Sequence, residues 1–312
     1  MNQKKIPNFL IIGAPKCGTT ALAYFLSQHP CVFITKHKEP RFFTALPGSM
    51  EKKITGSGPR LSGNFEKGWE WYNSLFNEAA ENQLKGEAST VYLANADAAS
   101  RIQEYCPNIK LILMLRNPVN RVYSHYWQEH KLGFDFPDFE VMLQSGHPRY
   151  QYYKNISHYK KHIERYLQYF RRDQIHIIIQ EAFKLDPEVH FNQLLNFLEI
   201  SVLPINVKER KNEMAAPKSR ILALMLQKLR LLEYEKFMPT SLSKKIKEKG
   251  IKFIHANQKP HKYPSISSDV FHQLCKDYED DICYVENLLH TDLKIWRMPT
   301  LEKTNVEGRK NK

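Results

Sequence analysis

Two stretches of this chain carry residues suited to holding anionic groups. The first, Gly13-Ala14-Pro15-Lys16-Cys17-Gly18-Thr19-Thr20, follows the apolar run Phe9-Leu10-Ile11-Ile12 and precedes a segment striped by Leu22, Phe25 and Leu26. A glycine-containing turn that opens a helix converges backbone N–H groups on one point, and a lysine there adds charge. The second stretch runs from Arg116-Asn117-Pro118 to Ser124 and follows the apolar run Lys110–Leu115. An arginine at a strand end can fork onto phosphate oxygens. Ser124, about two turns into the next helix, can donate its hydroxyl to the same group. Each feature alone also has an ordinary reading: a strand–helix turn, a surface ion pair, a hydroxyl on a helix face. Candidate proton acceptors are Glu39, His125 and His130. On charge density alone Glu39 reads equally well as a surface carboxylate paired with Lys36, Lys38 or Arg41.

These residues need a scaffold, and the hydrophobic pattern supplies one. Phe9–Ile12 reads as a strand buried on both faces, and Thr20–Gln28 as a helix ended by His29-Pro30. Val32–Ile34, Lys110–Leu115 and Ile175–Ile179 read as further strands, and Val119–Lys131 as a helix. Tyr159, Ile163, Tyr166, Leu167 and Phe170 recur at helical spacing, with Ser157 placed as cap. Asp186-Pro187-Glu188 opens another helix with a cap, a first-turn proline and a first-turn acid. Strands alternating with helices predict one α/β domain over residues 1–312, with its core at about 8–296 and a polar basic tail at 297–312. The expected architecture is a central parallel sheet with helices on both faces, binding ligands beyond the carboxyl ends of its strands. Thr44–Gly63 and Met214–Arg220 read as surface loops.

The net charge is +13, from 46 Lys and Arg against 33 Asp and Glu, which favours an anionic partner without choosing one. Five cysteines in no C-x-x-C spacing argue against a disulfide framework or a zinc site. The polar, basic Met1–Pro7 and an apolar run of only a strand's length predict no signal peptide or membrane anchor, hence a cytoplasmic setting.

The first loop resembles a P-loop, G-x-x-x-x-G-K-[ST], with one informative difference. Thr19 occupies the place of the P-loop lysine, and the lysine stands earlier, at Lys16. The string Pro15-Lys16-Cys17-Gly18-Thr19-Thr20-Ala21-Leu22 resembles the 5′-phosphosulfate loop of the sulfotransferases that use 3′-phosphoadenosine 5′-phosphosulfate (PAPS). Residues Phe9 to Pro30 look like the heparan-sulfate sulfotransferase branch and its bacterial relatives. The Arg116–Ser124 stretch resembles the 3′-phosphate motif of the same family, R-[ND]-P-x-x-R-x-x-S. Lys259-Pro260-His261-Lys262-Tyr263 resembles its nucleotide-closing K-G-R-x-[HY] loop, with proline in place of glycine.

The resemblance implies a P-loop-like three-layer fold and a soluble bacterial member of the branch. It implies PAPS as co-substrate, adenosine 3′,5′-bisphosphate as product and no metal. Lys16 would stand at the leaving phosphate, with Cys17, Gly18, Thr19, Thr20, Arg116, Ser124, Lys259, Pro260, His261, Lys262 and Tyr263 around the nucleotide. Lys36–Phe43 resembles the family's K-E-x-x-F-F stretch, which makes Glu39 the base, with His125 and His130 as alternatives. Gly86-Glu87-Ala88 resembles G-E-K on the acceptor side, with alanine for lysine; Glu87 would then touch the acceptor or hold a buried structural role. Tyr159 is read as a core aromatic, with a place beside the adenine as the alternative. The acceptor would be a glycan or a small molecule and not a nucleic acid. Two other functions compete: a P-loop kinase, and a non-catalytic binder of polyanions or nucleic acid. Leu111–Leu115 ends in Arg116 rather than an acid, against the kinase, and a nonspecific binder needs no particular loop spacing.

Overall fold

The structure, a computed structural model, describes residues 6–44, 63–131, 136–207, 215–219, 258–260 and 263–299. In chain order the described elements are β1 (Phe9–Gly13), α1 (Thr19–Leu26), β2 (Val32–Ile34), α2 (Gly68–Ser74), β3 (Leu84–Ala88), α3 (Ala98–Tyr105), β4 (Lys110–Leu115) and α4 (Pro118–Lys131). There follow α5 (Phe139–Gln144), α6 (Pro148–Ser157), α7 (Tyr159–Leu167), β5 (Ile175–Ile179), α8 (Gln180–Leu185), α9 (Pro187–Phe197), β6 (Ala215–Pro217), β7 (Gln258–Pro260), α10 (Ser268–Asp277) and α11 (Glu279–Leu289).

The five strands β1 to β5 form one parallel sheet in the order β2-β3-β1-β4-β5. β1 is buried along its whole length, and so is β4 after Lys110, which is why both read as unbroken apolar runs. The chain leaves β1 toward the β2 edge but leaves β4 toward the β5 edge. Right-handed crossovers then put the connecting helices on opposite faces. On one face Phe25 of α1 packs against Phe183 of α8 and Phe191 of α9. Tyr72 of α2 and Tyr105, which closes α3, belong to a separate aromatic cluster with Phe42 and Phe43. The reversal lies between the adjacent strands β1 and β4, so the crevice beyond their carboxyl ends is the place for a ligand. Both anion-suited stretches begin there.

Four sequence expectations change. β3 carries Lys85, Gly86 and Glu87, too polar to read as a buried strand, yet it lies between β2 and β1. Gly86 makes the fit: a Cβ there would stand 2.2 Å from the Phe9 ring. Ser157 does not cap α7; it ends α6, and its hydroxyl bonds into the core. Within Met214–Arg220, Ala215–Pro217 pairs antiparallel with Gln258–Pro260. The tail boundary also moves, because Arg297 belongs to the folded unit and binds Glu279 and Glu286. All five cysteines are free. Among the described residues, no helix is long and apolar enough to cross a membrane.

Candidate active site

The first loop leaves β1 with Ala14 N–H held by Met114 O of β4 at 2.8 Å. Lys16 takes a left-handed backbone (φ 74°), and Gly18, at φ 97°, is the N-cap of α1. The left-handed backbone there calls for glycine, since a side chain at this φ would be strained. No side chain caps α1, so the orphan N–H groups of its first turn face the loop. Thr20 is exposed there, and Thr19 is buried beneath it. Cys17 is fully buried, its Sγ 3.9 Å from Tyr159 Oη. Burial pushes its thiol up to about 11, which excludes it as a nucleophile.

The second stretch meets this loop. Arg116 Nη1 reaches Lys16 O at 3.4 Å, and Lys16 Nζ donates to Gln128 Oε1 of α4 at 3.0 Å. Ser124 precedes Gln128 by one turn on the same face of α4, half-buried. Asn117 anchors the turn: its N–H donates to Glu181 Oε1 at 3.0 Å and its side chain to Trp296 O at 2.6 Å. Trp296 Nε1 closes this triangle on Glu181 Oε2 at 3.0 Å. Arg121, 0% exposed, donates to Ser157 Oγ, Tyr153 O and Pro15 O, tying α4 and α6 to the first loop. Tyr159 Oη donates to Arg116 O at 2.8 Å. That fully buried tyrosine braces both loops from below, which corrects its alternative place at the adenine.

The candidate bases differ sharply in their surroundings. Glu39 is partly exposed, and its carboxylate accepts Thr90 N–H at 3.1 Å and Thr90 Oγ1 at 2.9 Å. Arg41 Nε lies 3.7 Å away; Lys36 pairs instead with Glu78. His125 stacks on Tyr153 with centroids 4.5 Å apart, and its Nδ1 faces Arg121 Nη1 at 3.2 Å. A guanidinium only donates, so Nδ1 accepts and the imidazole proton sits on Nε2. Burial first, then Arg121, Lys16 and Arg149, hold this histidine well below its ordinary range, so it is neutral and a poor proton acceptor. His130 lies against Tyr126, Trp127 and Phe136. Glu87, expected near the acceptor, is 0% exposed. Tyr72, Ser89 and Tyr92 hydroxyls donate to it at 3.1, 2.7 and 2.6 Å, so the structural reading replaces the acceptor contact.

Of the expected closing loop, Gln258–Pro260 is the strand β7, and His261 and Lys262 lie outside the described residues. Tyr263 stacks on Trp127 of α4 at 4.6 Å, and Tyr123 Oη donates to Pro264 O at 2.9 Å. Tyr263 and Pro264 thus dock on the helix that carries Ser124 and Gln128. Sequence reasoning missed Gln128, Glu181 and Trp296. Only the one-turn spacing of Gln128 from Ser124 offered a signal. The structure thus brings the N-terminus of α1, Lys16 and Arg116 together at the carboxyl ends of β1 and β4, with Ser124 one turn before the Lys16 partner Gln128 on α4.

Comparison with known proteins identifies the family. Residues 7–249 match the family model described as "Sulfotransferase domain". A bifunctional heparan sulfate N-deacetylase/N-sulfotransferase 1 of Caenorhabditis elegans is 31% identical over 212 residues, 65% of this chain and 23% of that protein. Heparan sulfate glucosamine 3-O-sulfotransferase 3A1 of Mus musculus is 29% identical over 204 residues, 62% of this chain and 46% of that protein. The match therefore spans less than half the length of either relative. The crystal structure of a sulfotransferase from Alicyclobacillus acidocaldarius shares the fold, with a TM-score of 0.65 at 24% identity over 94% of this chain and 99% of that one.

Proposed function

This chain belongs to the sulfotransferase family, and from that premise we propose that it moves the sulfuryl group of PAPS to a hydroxyl or amine of a carbohydrate acceptor. The observation that carries the reading is the meeting of the two anion-suited stretches at the β1/β4 switch point, Arg116 against Lys16 O at 3.4 Å. The donor set fits a nucleotide with two phosphate positions. The N-terminus of α1 and Lys16 suit the 5′-phosphosulfate; Arg116 and Ser124 suit the 3′-phosphate. Cys17 and Thr19 are buried and contribute to this loop's shape, while the backbone of Gly18 and Thr20 lies toward the ligand. The seating of Tyr263 and Pro264 on α4 supports a nucleotide-closing role for the segment they end.

The reaction is an in-line displacement. The acceptor oxygen or nitrogen bonds to sulfur, the bond from sulfur to the bridging oxygen breaks, and adenosine 3′,5′-bisphosphate leaves with that electron pair. Lys16 offsets the charge growing on the leaving phosphate. Glu39 takes the acceptor proton, its carboxylate aimed by the two Thr90 donors. The heparan sulfate relatives support a glycan as the acceptor class.

Calorimetric titration with adenosine 3′,5′-bisphosphate in EDTA tests the reading. Binding without Mg²⁺ is expected, with adenosine 5′-phosphate weaker by roughly tenfold or more, since each charge-assisted contact is worth about 1.5–3 kcal/mol. Tighter binding of Mg·ATP than of the bisphosphate would overturn it.

A further inference from the structure

The turn that carries Glu39 has an unusual backbone. Glu39 and Arg41 both sit at φ 53°, in the left-handed region, on either side of Pro40. Neither residue is a glycine, and the residue before a proline is pushed toward extended backbone. Such a turn persists only where its surroundings hold it. Asn64 holds one side, its side chain donating to Pro40 O at 2.7 Å and its N–H to Arg41 O at 3.0 Å. The inner side rests on two hydroxyls. Arg41 N–H donates to Ser89 Oγ at 2.9 Å, and Phe43 N–H donates to Tyr92 Oη at 3.4 Å. Those same hydroxyls give their protons to Glu87, at 2.7 Å from Ser89 and 2.6 Å from Tyr92. A hydroxyl has one proton, so once it is committed to the carboxylate only lone pairs face the turn.

We propose that Glu87 is a positioning residue for sulfuryl transfer: its buried carboxylate orients Ser89 and Tyr92 as acceptors for Arg41 and Phe43, and so fixes the left-handed turn that presents Glu39. This rests on the reading of Glu39 as the base. The arrangement works in the ionised form of Glu87, which accepts three hydroxyl protons at once. Burial opposes that form and raises its pKa to about 7, against the three hydroxyl donors; nearby Glu39 adds to the rise. Its other titratable neighbours are Tyr72 from α2, Tyr92, Cys106 after α3 and Tyr166 from α7. Protonation as pH falls through about 7 removes the anion that orders the hydroxyls, so transfer should decline there.

The test compares E87Q, S89A and the double variant by kcat, donor KM, melting temperature and pH profile. For E87Q the expected result is a fall in kcat of up to about 10²-fold, the cost of a small misplacement at the reacting centre. Donor KM should stay within about twofold, and the decline through pH 7 should vanish. S89A should lose kcat similarly, and the double variant should lose no more than the worse single one, since both act through one bridge. A lowered melting temperature with kcat and pH profile unchanged, or fully additive losses, would overturn the proposal. Should E87Q not fold, S89A carries the test, and wild-type kcat in it is the overturning result. E39Q separates the two ideas. An inactive E39Q beside a fully active E87Q sinks positioning alone, whereas an active E39Q sinks the base assignment on which it rests.

Discussion

Replacing Arg121 by methionine tests how this site is built. The guanidinium is 0% exposed and makes four donations, to Ser157 Oγ, Tyr153 O, Pro15 O at 3.5 Å and His125 Nδ1 at 3.2 Å. Methionine fills most of the volume and donates nothing. The contact to Pro15 is long and weak, so the loss falls chiefly on Tyr153 O, Ser157 Oγ and His125 Nδ1. A buried polar atom stripped of its partner costs about 1–3 kcal/mol. Ser157 still donates to Pro118 O, and removing a desolvated charge returns part of the loss. The net expectation is about 2–5 kcal/mol of stability. Urea unfolding should show a lower midpoint with an unchanged slope. Bisphosphate affinity should fall by no more than roughly tenfold, because the hydrogen bond from Arg121 to the first loop is the long, weak Pro15 contact. Unchanged stability with a loss of binding above about 100-fold would refute the reasoning and make Arg121 a ligand contact.

Three further outcomes are expected. Lys16→Ala should lose about 10²–10³ in transfer rate with little change in melting temperature, as for removal of one oxyanion donor; single-turnover kinetics measures it. Arg116→Ala and Ser124→Ala should each weaken adenosine 3′,5′-bisphosphate by about 1.5–3 kcal/mol while hardly touching adenosine 5′-phosphosulfate, read by calorimetry. Burial holds His162 down from 6.5 to about 4, so between those values the unfolded chain binds the extra proton and stability falls as pH drops. Glu87, raised to about 7, acts in the opposite direction, because there the folded state keeps its proton longer. The change in unfolding free energy between pH 6.5 and pH 4 should therefore differ by about 3 kcal/mol between wild type and His162→Gln, measured by urea unfolding across that window.

The sheet was legible where strands are buried on both faces, because Phe9–Ile12 and Leu111–Leu115 had to be apolar throughout; β5, at the sheet edge and half-buried at His176 and Ile177, was legible from its isoleucines. β3 was not, because Glu87 is buried by hydroxyl partners that come from Tyr72, Ser89 and Tyr92, and no local pattern announces them. Lys16 and Arg116 were legible from their positions at strand ends, and the structure brings them together. What sequence could not give was the support beneath them. Glu181 and Trp296 act across long separations and read locally as an ordinary surface and core residue, and Arg121, though within the second motif, has partners at Ser157, Tyr153 and Pro15 that no local pattern announces. Ser157 was misread for the same reason: a serine just before a helix looks like a cap, and here it serves Arg121.

The most direct measurement is transfer of ³⁵S from labelled PAPS to heparan-type glycans, with adenosine 3′,5′-bisphosphate quantified in the same reaction. The account predicts label on the glycan in step with bisphosphate release, without added Mg²⁺, and both suppressed together by Lys16→Ala. Tight bisphosphate binding with no label on any glycan would contradict the carbohydrate acceptor. Transfer that survives Lys16→Ala undiminished would contradict the site itself.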